Sequence, residues 1–282
     1  MAKGRCLCGA LSYELDGPYS AMIHCHFSMC RKHHGTGFAT FVIGPIAGFR
    51  WISGEVSLVR YQSSQQGVRG FCGVCGSAAP WPMPEQGIVA APAAGFDGDL
   101  GIKPKSHFFA GSKAPWDDIT DGLRQFDAYP AEFGMNGVPR PVVTPRAGIT
   151  EGSCLCGGVG YEISGAPVRM MNCHCSRCRH GKAAAHATNL FYKLDAFRWV
   201  RGAELVKEFK VPDARFHTTA FCSRCGGKVP RPSPERGIVT VPAGSLDTDP
   251  GMRAQAHIYT ADKAPWFDIT GPLPQFPGMP PG

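Results

Sequence analysis

A six-residue cysteine motif occurs twice in this chain, as GRCLCG at residues 4–9 and as GSCLCG at residues 152–157. A second motif, KAPW, occupies residues 113–116 and 263–266. The offset between copies is 148 residues in the first part and 150 residues later, and this register pairs the other cysteines: Cys25 with Cys173, Cys30 with Cys178, Cys72 with Cys222, and Cys75 with Cys225. Such a long register indicates a duplicated domain, because solenoid units have only about 20 to 50 residues.

The length of the chain agrees with two domains. At about 100 to 200 residues per domain, 282 residues suffice for two cores. We expect a first domain over residues 1–135, a linker over 136–150 and a second domain over 151–282. The linker prediction rests on Pro139, Pro141 and Pro145, which lie in a stretch without hydrophobic periodicity.

The composition is that of a globular protein, with 43% hydrophobic and 18% charged residues. No apolar run approaches the roughly 20 residues of a membrane span, and the first residues lack the apolar core of a secretory signal. We therefore expect a cytoplasmic protein without membrane segments. In a reducing cytosol, 13 cysteines indicate metal binding more than disulfides.

The apolar residues follow a period of two in both copies. Leu11, Tyr13 and Leu15 alternate with polar residues, as do their counterparts Val159, Tyr161 and Ile163. Similar short runs are separated by Gly, Pro and Ser, at residues 38–43, 56–61, 205–211, 215–221 and 237–241. The pattern predicts an all-β fold of short antiparallel strands, with at most one helical turn after the central cysteines of each copy.

The outer cysteines of each copy form two half-sites. Cys-x-Cys can present two sulfurs to one ion from the same face of an extended chain, and Cys-x-x-Cys can do so from a turn. Four thiolates suit a closed, tetrahedral structural zinc site. The predicted ligands are Cys6, Cys8, Cys72 and Cys75 in the first copy, and Cys154, Cys156, Cys222 and Cys225 in the second. Disulfides and a redox Cys-x-x-Cys are the alternatives, and the recurrence in register favours zinc.

A central cluster, CHCSRCR at residues 173–179, occurs in full only in the second copy. Cys173, Cys175 and Cys178 can converge on a zinc ion and leave its fourth position open, as in reactive sites. With three thiolates the site carries a net charge of −1, which favours an exchangeable thiol as fourth ligand over activation of water. The alternative is a third structural site, closed by His174 or His180.

The first copy departs from this cluster, because Phe27 stands where the second copy has Cys175. Imidazole could replace the lost sulfur, and four histidines are near: His24, His26, His33 and His34. We favour a vacant or weak site here.

Metal binding also changes the charge of the protein. The formal net charge is +7, and two four-thiolate sites of −2 and one three-thiolate site of −1 lower it to +2. Since the sequence has no basic run either, nucleic-acid binding is disfavoured.

These motifs resemble the family named for glutathione-dependent formaldehyde-activating enzyme, which also includes centromere protein V. The second copy carries all of them in order: Cys-x-Cys-Gly, Cys-His-Cys-x-x-Cys-Arg, Cys-x-x-Cys-Gly and Lys-Ala-Pro-Trp. The resemblance implies two tandem β-tent domains with structural zinc on the outer cysteines. It also implies a catalytic zinc on Cys173, Cys175 and Cys178, and a thiol such as glutathione as substrate.

The implied activity is that of a carbon-sulfur lyase, which combines glutathione and formaldehyde to S-hydroxymethylglutathione in the second domain. The competing hypothesis is a non-catalytic zinc module for protein interaction. Arg177 and Arg179 could bind a substrate carboxylate or be ordinary solvated residues. Trp116 and Trp266 could line a ligand pocket, although a core position after a Pro-fixed turn is favoured.

Overall fold

The computed structural model describes residues 1–65, 67–130 and 146–280. In the first copy it contains twelve strands and one α-helix: β1 (Ala2–Arg5), β2 (Ser12–Leu15), β3 (Ala21–Cys25), α1 (Ser28–His34), β4 (Ala39–Pro45), β5 (Phe49–Ser53), β6 (Leu58–Gln62), β7 (Val68–Cys72), β8 (Ala78–Ala79), β9 (Trp81–Met83), β10 (Ile88–Pro92), β11 (Ser106–Phe108) and β12 (Arg124–Phe126).

The second copy repeats this order. Its elements are β13 (Ile149–Ser153), β14 (Gly160–Ser164), β15 (Arg169–Cys173), α2 (Ser176–Lys182), β16 (Ala187–Lys193), β17 (Phe197–Arg201), β18 (Val206–Lys210), β19 (Thr218–Cys222), β20 (Arg231–Ser233), β21 (Ile238–Pro242), β22 (His257–Ile258) and β23 (Gln275–Phe276). None of the described helices is long and apolar enough to cross a membrane.

Each copy is built on a six-stranded sheet, in the order β12-β11-β3-β4-β10-β9 and β20-β21-β16-β15-β22-β23. A three-stranded sheet, β1-β2-β5 or β13-β14-β17, accompanies it, and the hairpins β6-β7 and β18-β19 carry the Cys-x-x-Cys turns. The tandem all-β fold is therefore confirmed. Not all pairs are antiparallel, since β11 and β22 run parallel to both of their neighbours.

The alternating residues of the predicted strands do form the core. Leu11, Tyr13 and Leu15 are at most 2% exposed, and Val159, Tyr161 and Ile163 are equally buried. The helix after the central cysteines is longer than the single predicted turn. Both α1 and α2 have seven residues, and they end at the left-handed residues Gly35 and Ala183.

Each copy inserts its KAPW segment into the core of the other copy. Trp266 packs with Tyr13, Leu15 and other residues of the first copy, whereas Trp116 packs with Tyr161 and other residues of the second. Both tryptophans are at most 4% exposed, so the core position is confirmed for both. The surrounding core belongs to the other copy, because the chain crosses between the two sheets before each segment.

The α-helices are exchanged in the same way. α1 packs against the 3-10 turn Ala243–Ser245 of the second copy, and α2 packs against the equivalent turn Ala93–Gly95 of the first. The contact leaves no room for a side chain at Gly244, whose Cβ would collide with the backbone of Arg31 and Thr36. The two copies thus form one intertwined unit.

A buried ion pair lies in this interface. Lys32 Nζ is 2.7 Å from the Asp247 carboxylate and donates to the Ser153 carbonyl oxygen at 2.7 Å. The Lys32 side chain is only 4% exposed. Burial of a lysine is favourable only where acceptors compensate for its lost hydration, and here the second copy supplies them.

The predicted linker lies mostly outside the described residues. Of the range 136–150, the structure describes 146–150, where Ile149 already begins β13. The boundary near residue 135 therefore stays a prediction.

Candidate metal centres

The outer cysteines form two four-sulfur groups, one in each copy. Within each group all four sulfurs lie within 4.8 Å of one another. In the first group, Cys6 and Cys8 Sγ are 3.5 Å apart and Cys8 and Cys72 Sγ are 3.7 Å apart. A tetrahedral zinc ion with bonds of about 2.3 Å needs sulfurs about 3.8 Å apart. Both groups therefore fit this ion without rearrangement.

The backbone presents these sulfurs from turns. The predicted Cys-x-x-Cys turn is present, with Gly76 at φ +74° and its N–H donating to the Cys72 carbonyl oxygen at 2.8 Å. The Cys-x-Cys pair differs from the extended segment that we expected. Cys6 and Cys8 lie in a tight turn after β1, closed by a bond from Gly9 N–H to the Cys6 carbonyl oxygen. Two turns, rather than a strand and a turn, surround each site.

The two four-sulfur groups lie back to back across the interface. A Cβ on Gly76 would collide with the Phe221 ring, and one on Gly226 would collide with the Phe71 ring. Lys228, which is buried, donates from Nζ to the carbonyl oxygens of both Gly76 and Gly226. Glycine is thus needed at each of these two positions for two reasons: the backbone is left-handed, and the other copy approaches too closely for a side chain.

The central cluster of the second copy brings three sulfurs together. Cys173 ends β15, Cys175 precedes α2 and Cys178 lies in its first turn, and their sulfurs are within 4.8 Å of one another. Cys175 Sγ also accepts from the Cys178 backbone N–H at 3.4 Å, which caps α2. No fourth His, Cys, Asp or Glu of the described ranges joins this group.

The neighbouring histidines point elsewhere. His174, fully buried, has its Nε2 2.8 Å from His257 Nδ1, and His180 Nε2 lies 3.5 Å from the Asp97 carboxylate of the first copy. A structural site closed by His174 or His180 is therefore not formed. The structure brings Cys173, Cys175 and Cys178 together, and an open metal site on them stays a prediction.

The crowding of these sulfurs sets their protonation. Hydrogen bonds from Cys173 and Cys178 lower the pKa of Cys175 to about 2, whereas the same contact with Cys175 raises the pKa of Cys173 to about 12. One thiolate is stable beside two thiols, and removal of the other protons requires a cation. This donor set suits zinc, and the two four-sulfur groups fit it as well.

The three sulfurs lie at the wall of a cavity of about 710 Å³. Its lining is positively charged, because Arg169, Arg177, Arg215 and Arg236 border it and Asp262 is the acidic residue among the described lining residues. Arg179 instead donates from Nε to the His174 carbonyl oxygen at 3.3 Å and does not line the cavity. Of Arg177 and Arg179, only Arg177 lines the cavity.

Sequence reasoning missed two further cavity residues, His217 and Tyr259. Tyr259 has a left-handed backbone at φ +56°, and so does its counterpart Phe109 at φ +59°. Non-glycine residues in this region are strained and often lie at functional sites. A comparison of the two copies could have identified Tyr259 from the sequence, because the copies differ at two positions together. Cys175 and Tyr259 in the second copy correspond to Phe27 and Phe109 in the first.

In the first copy the two phenylalanines fill this space. The rings of Phe27 and Phe109 stack with centroids 4.4 Å apart and an interplanar angle of 22°. Cys25 and Cys30 Sγ are 3.4 Å apart, and Arg69 Nη2 is 3.5 Å from Cys30 Sγ. A guanidinium thus stands beside the sulfur pair where the second copy has Thr219.

The four histidines of the first copy are bonded to other groups. His24 Nδ1 is 2.8 Å from Thr40 Oγ1, and His26 Nε2 is 2.8 Å from His107 Nδ1. His33 and His34 contact the carbonyl oxygens of Gly70 and Lys182. Among the described residues, none of them forms a three-ligand group with Cys25 and Cys30.

Comparison with known proteins agrees with this arrangement. The sequence model of the family described as glutathione-dependent formaldehyde-activating enzyme, GFA, matches residues 1–112 and 149–262. The chain belongs to the GFA family. A crystal structure of a Rhodobacter sphaeroides protein, a Northeast Structural Genomics target, is 25% identical, covering 35% of this chain and 89% of that chain, with a TM-score of 0.28. No curated protein matches the chain.

The two GFA matches correspond to the duplicated domains. Each includes the outer cysteines of one copy and the segment that aligns with the central cluster. Both end just before the exchanged KAPW segments, at residues 112 and 262. The exchanged KAPW segments thus lie next to the matched regions, whereas the exchanged helices α1 and α2 lie within them.

Proposed function

We propose that this protein is a zinc-dependent carbon-sulfur lyase that combines a small thiol, such as glutathione, with formaldehyde in its second copy. The observation that carries the proposal is the open three-sulfur group of Cys173, Cys175 and Cys178 at the wall of an arginine-bordered cavity. Family membership supports the same chemistry. The absence of a fourth ligand in the described chain favours the enzyme over the closed site of an interaction module.

Zinc on these three cysteines would supply a soft position at which a thiol is held as its thiolate. The arginines bind the rest of the substrate. Arg177 and Arg236 are exposed at the cavity and can receive the carboxylates of glutathione, and guanidinium is suited to this by its paired donors. A cavity of about 710 Å³ lies within the usual size range of ligand sites.

Tyr259 is the proposed proton donor. When the thiolate sulfur attacks the carbonyl carbon of formaldehyde, a carbon–sulfur bond forms and the carbonyl electrons move to oxygen. Tyr259 lines the same cavity, and its hydroxyl can protonate this oxygen to give the S-hydroxymethyl product. The proton that the thiol loses on becoming a thiolate passes to solvent, and a proton from solvent restores the hydroxyl, so no proton is consumed overall. The first copy, with Phe109 and Phe27, lacks both the hydroxyl and the third sulfur, and we assign it no lyase activity.

We place the protein in the cytoplasm. All thirteen cysteines are unpaired in the structure, which suits a reducing compartment. Reduced thiols such as glutathione are maintained in the same compartment. No nucleic-acid partner is proposed, since the arginines that line the cavity surround a concave site and not a basic surface strip.

Exchange spectroscopy by NMR with ¹³C-formaldehyde and glutathione tests the activity above the uncatalysed background. We expect the zinc-loaded chain to accelerate formation of the S-hydroxymethyl adduct and Cys175→Ser to abolish the acceleration. Cys25→Ser, at the equivalent of Cys173, is the matched control and should retain it. Tyr259→Phe should lower the rate without weakening glutathione binding. If glutathione does not bind to the zinc-loaded chain, the interaction module becomes the better hypothesis.

A further inference from the structure

We propose that the first copy has a separate binding site for an apolar carboxylate, in a cavity where Arg69 receives the carboxylate group. The cavity has a volume of about 380 Å³ and lies between α1, the six-stranded sheet and the hairpin that carries Arg69. This site is not part of the proposed lyase reaction, and its ligand differs from the substrates of the second copy.

The walls of this cavity are mostly apolar, and its described lining also includes the polar residues Ser20, His33, His34, Gln86 and Tyr129. The sheet contributes Ile23, Phe41 and Ile43, and the segment that follows the Cys-x-x-Cys turn contributes Trp81, Met83 and Ile88. Cys25 and Cys30 line the end at which α1 begins. Apolar walls of this kind are favourable for a hydrocarbon body, because they remove it from water without leaving polar groups unpaired.

Arg69 is the arginine of this lining, as far as the described residues show. Its Nε–H is buried and meets no acceptor among the described residues. Its Nη2 contacts Cys30 Sγ at 3.5 Å, and the contacts with Cys25 and with this guanidinium lower the pKa of Cys30 to about 6, so one sulfur shares the positive charge while Nε–H stays without an acceptor. None of the ion pairs found in residues 1–65, 67–130 and 146–280 includes Arg69.

The Arg69 side chain is partly buried, and a buried N–H without an acceptor costs free energy unless a ligand supplies one. The orphan Nε–H therefore points to a ligand that carries an accepting anionic oxygen. A carboxylate matches the planar donor face of arginine and gains charge-assisted hydrogen bonds in an environment that excludes water.

The second copy provides an internal comparison, since strand register relates this cavity to a smaller one of about 170 Å³, which lies beside the three-sulfur group and shares Cys178 and Arg236 with the larger cavity. At four positions a polar side chain of the second copy is replaced by an apolar one in the first: Arg231 by Trp81, Ser233 by Met83, Asn189 by Phe41 and Thr240 by Ala90. At the inner position, Thr219 of the second copy is replaced by the charged Arg69. Compared with the second copy, the rim of the first-copy cavity has fewer positive charges and its interior has one more.

This exchange fits a change of ligand. A polar thiol that carries several charges suits arginines around an open rim, as in the second copy. One anionic group at the end of an apolar body suits a single arginine inside a hydrophobic cavity. The stacked Phe27 and Phe109 close the space that the third sulfur and the tyrosine occupy in the second copy, and Arg69 lies beside the two sulfurs that remain.

Isothermal titration of the zinc-loaded, full-length chain with octanoate tests the site, with octan-1-ol as the uncharged control. We expect octanoate to bind at least about tenfold more tightly than octan-1-ol, because a hydrogen bond to a charged group contributes about 1.5 to 3 kcal/mol. Arg69→Met should weaken octanoate binding by at least the same factor and leave octan-1-ol unaffected. Arg236→Met, in the cavity of the second copy, is the matched control and should change neither.

Two further variants keep the test independent of folding. Arg69→Lys retains the charge and should bind octanoate more tightly than Arg69→Met. Phe41→Asn, which copies the second copy, should weaken octanoate and octan-1-ol alike. Equal binding of octanoate and octan-1-ol to the wild type, or loss of octanoate in Arg236→Met with retention in Arg69→Met, would overturn the proposal. A lack of lyase activity would leave these results untouched, so the two proposals fail separately.

Discussion

The hydroxyl oxygens of Thr120 and Thr270 lie 2.7 Å apart, although 150 residues separate them in the chain. These threonines occupy the same position in the two copies, and so do Phe71 and Phe221, whose ring centroids are 6.2 Å apart. Contact between equivalent residues is the mark of two-fold symmetry, as in the interface of a homodimer. The duplicated chain thus folds like a dimer within one polypeptide.

Three zinc ions per chain are expected. The eleven predicted ligands form groups of four, four and three sulfurs, and each group is compact enough for one ion. Elemental analysis of protein purified without chelators gives the count. A value near two would mean that the central cluster does not retain metal, and a value near four would show that the first copy binds metal despite Phe27.

Loss of a structural ligand should damage the fold more than loss of a central one. Cys222→Ser removes a fully buried sulfur from a four-sulfur group, where metal binding is expected to contribute to the free energy of folding. Cys175→Ser affects a partly exposed position and should leave the melting temperature nearly unchanged. Circular dichroism melts of the zinc-loaded variants measure both, and an equal loss would make the central site structural.

A metal site should return to the first copy only through two substitutions. Phe27→Cys alone would supply the third sulfur, but the Arg69 guanidinium beside Cys30 Sγ would oppose a dication. Phe27→Cys with Arg69→Thr reproduces the residues of the second copy and should raise the zinc content by one ion. Cobalt absorption in the thiolate region reports the new site. Full metal loading of the single variant would contradict this role of Arg69.

The buried ion pair between the copies should matter more than an exposed one. Lys32→Met leaves the Asp247 carboxylate without its buried partner, and we expect a loss of about 3 to 5 kcal/mol in the free energy of unfolding. Lys103→Met is the control, because Lys103 and Asp268 also join the two copies at 2.8 Å but are both more than half exposed. That variant should lose about 0 to 1 kcal/mol, measured by urea unfolding with zinc present.

Neither half of the chain should fold well alone. Residues 1–135 without the second copy lack Trp266, and residues 151–282 lack Trp116, so each core has a gap. We expect each separate half to aggregate or bind hydrophobic dyes, and the two halves expressed together to form a stable complex. A stable monomeric half with cooperative unfolding would contradict the intertwined architecture.

The sequence by itself determined the duplication, the all-β class and the three groups of sulfur ligands, because these depend on spacing and periodicity. Gly76 and Gly226 could also be interpreted locally, since a turn after Cys-x-x-Cys needs a left-handed residue. Only the tertiary structure decided where Trp116 and Trp266 pack, since a KAPW motif looks the same whether it fills its own core or that of the other copy. The same holds for Arg69, which appears in the sequence as an ordinary strand residue. Its position beside Cys30 depends on a contact across 39 residues, and such contacts arise from the packing of whole elements, which no local pattern specifies.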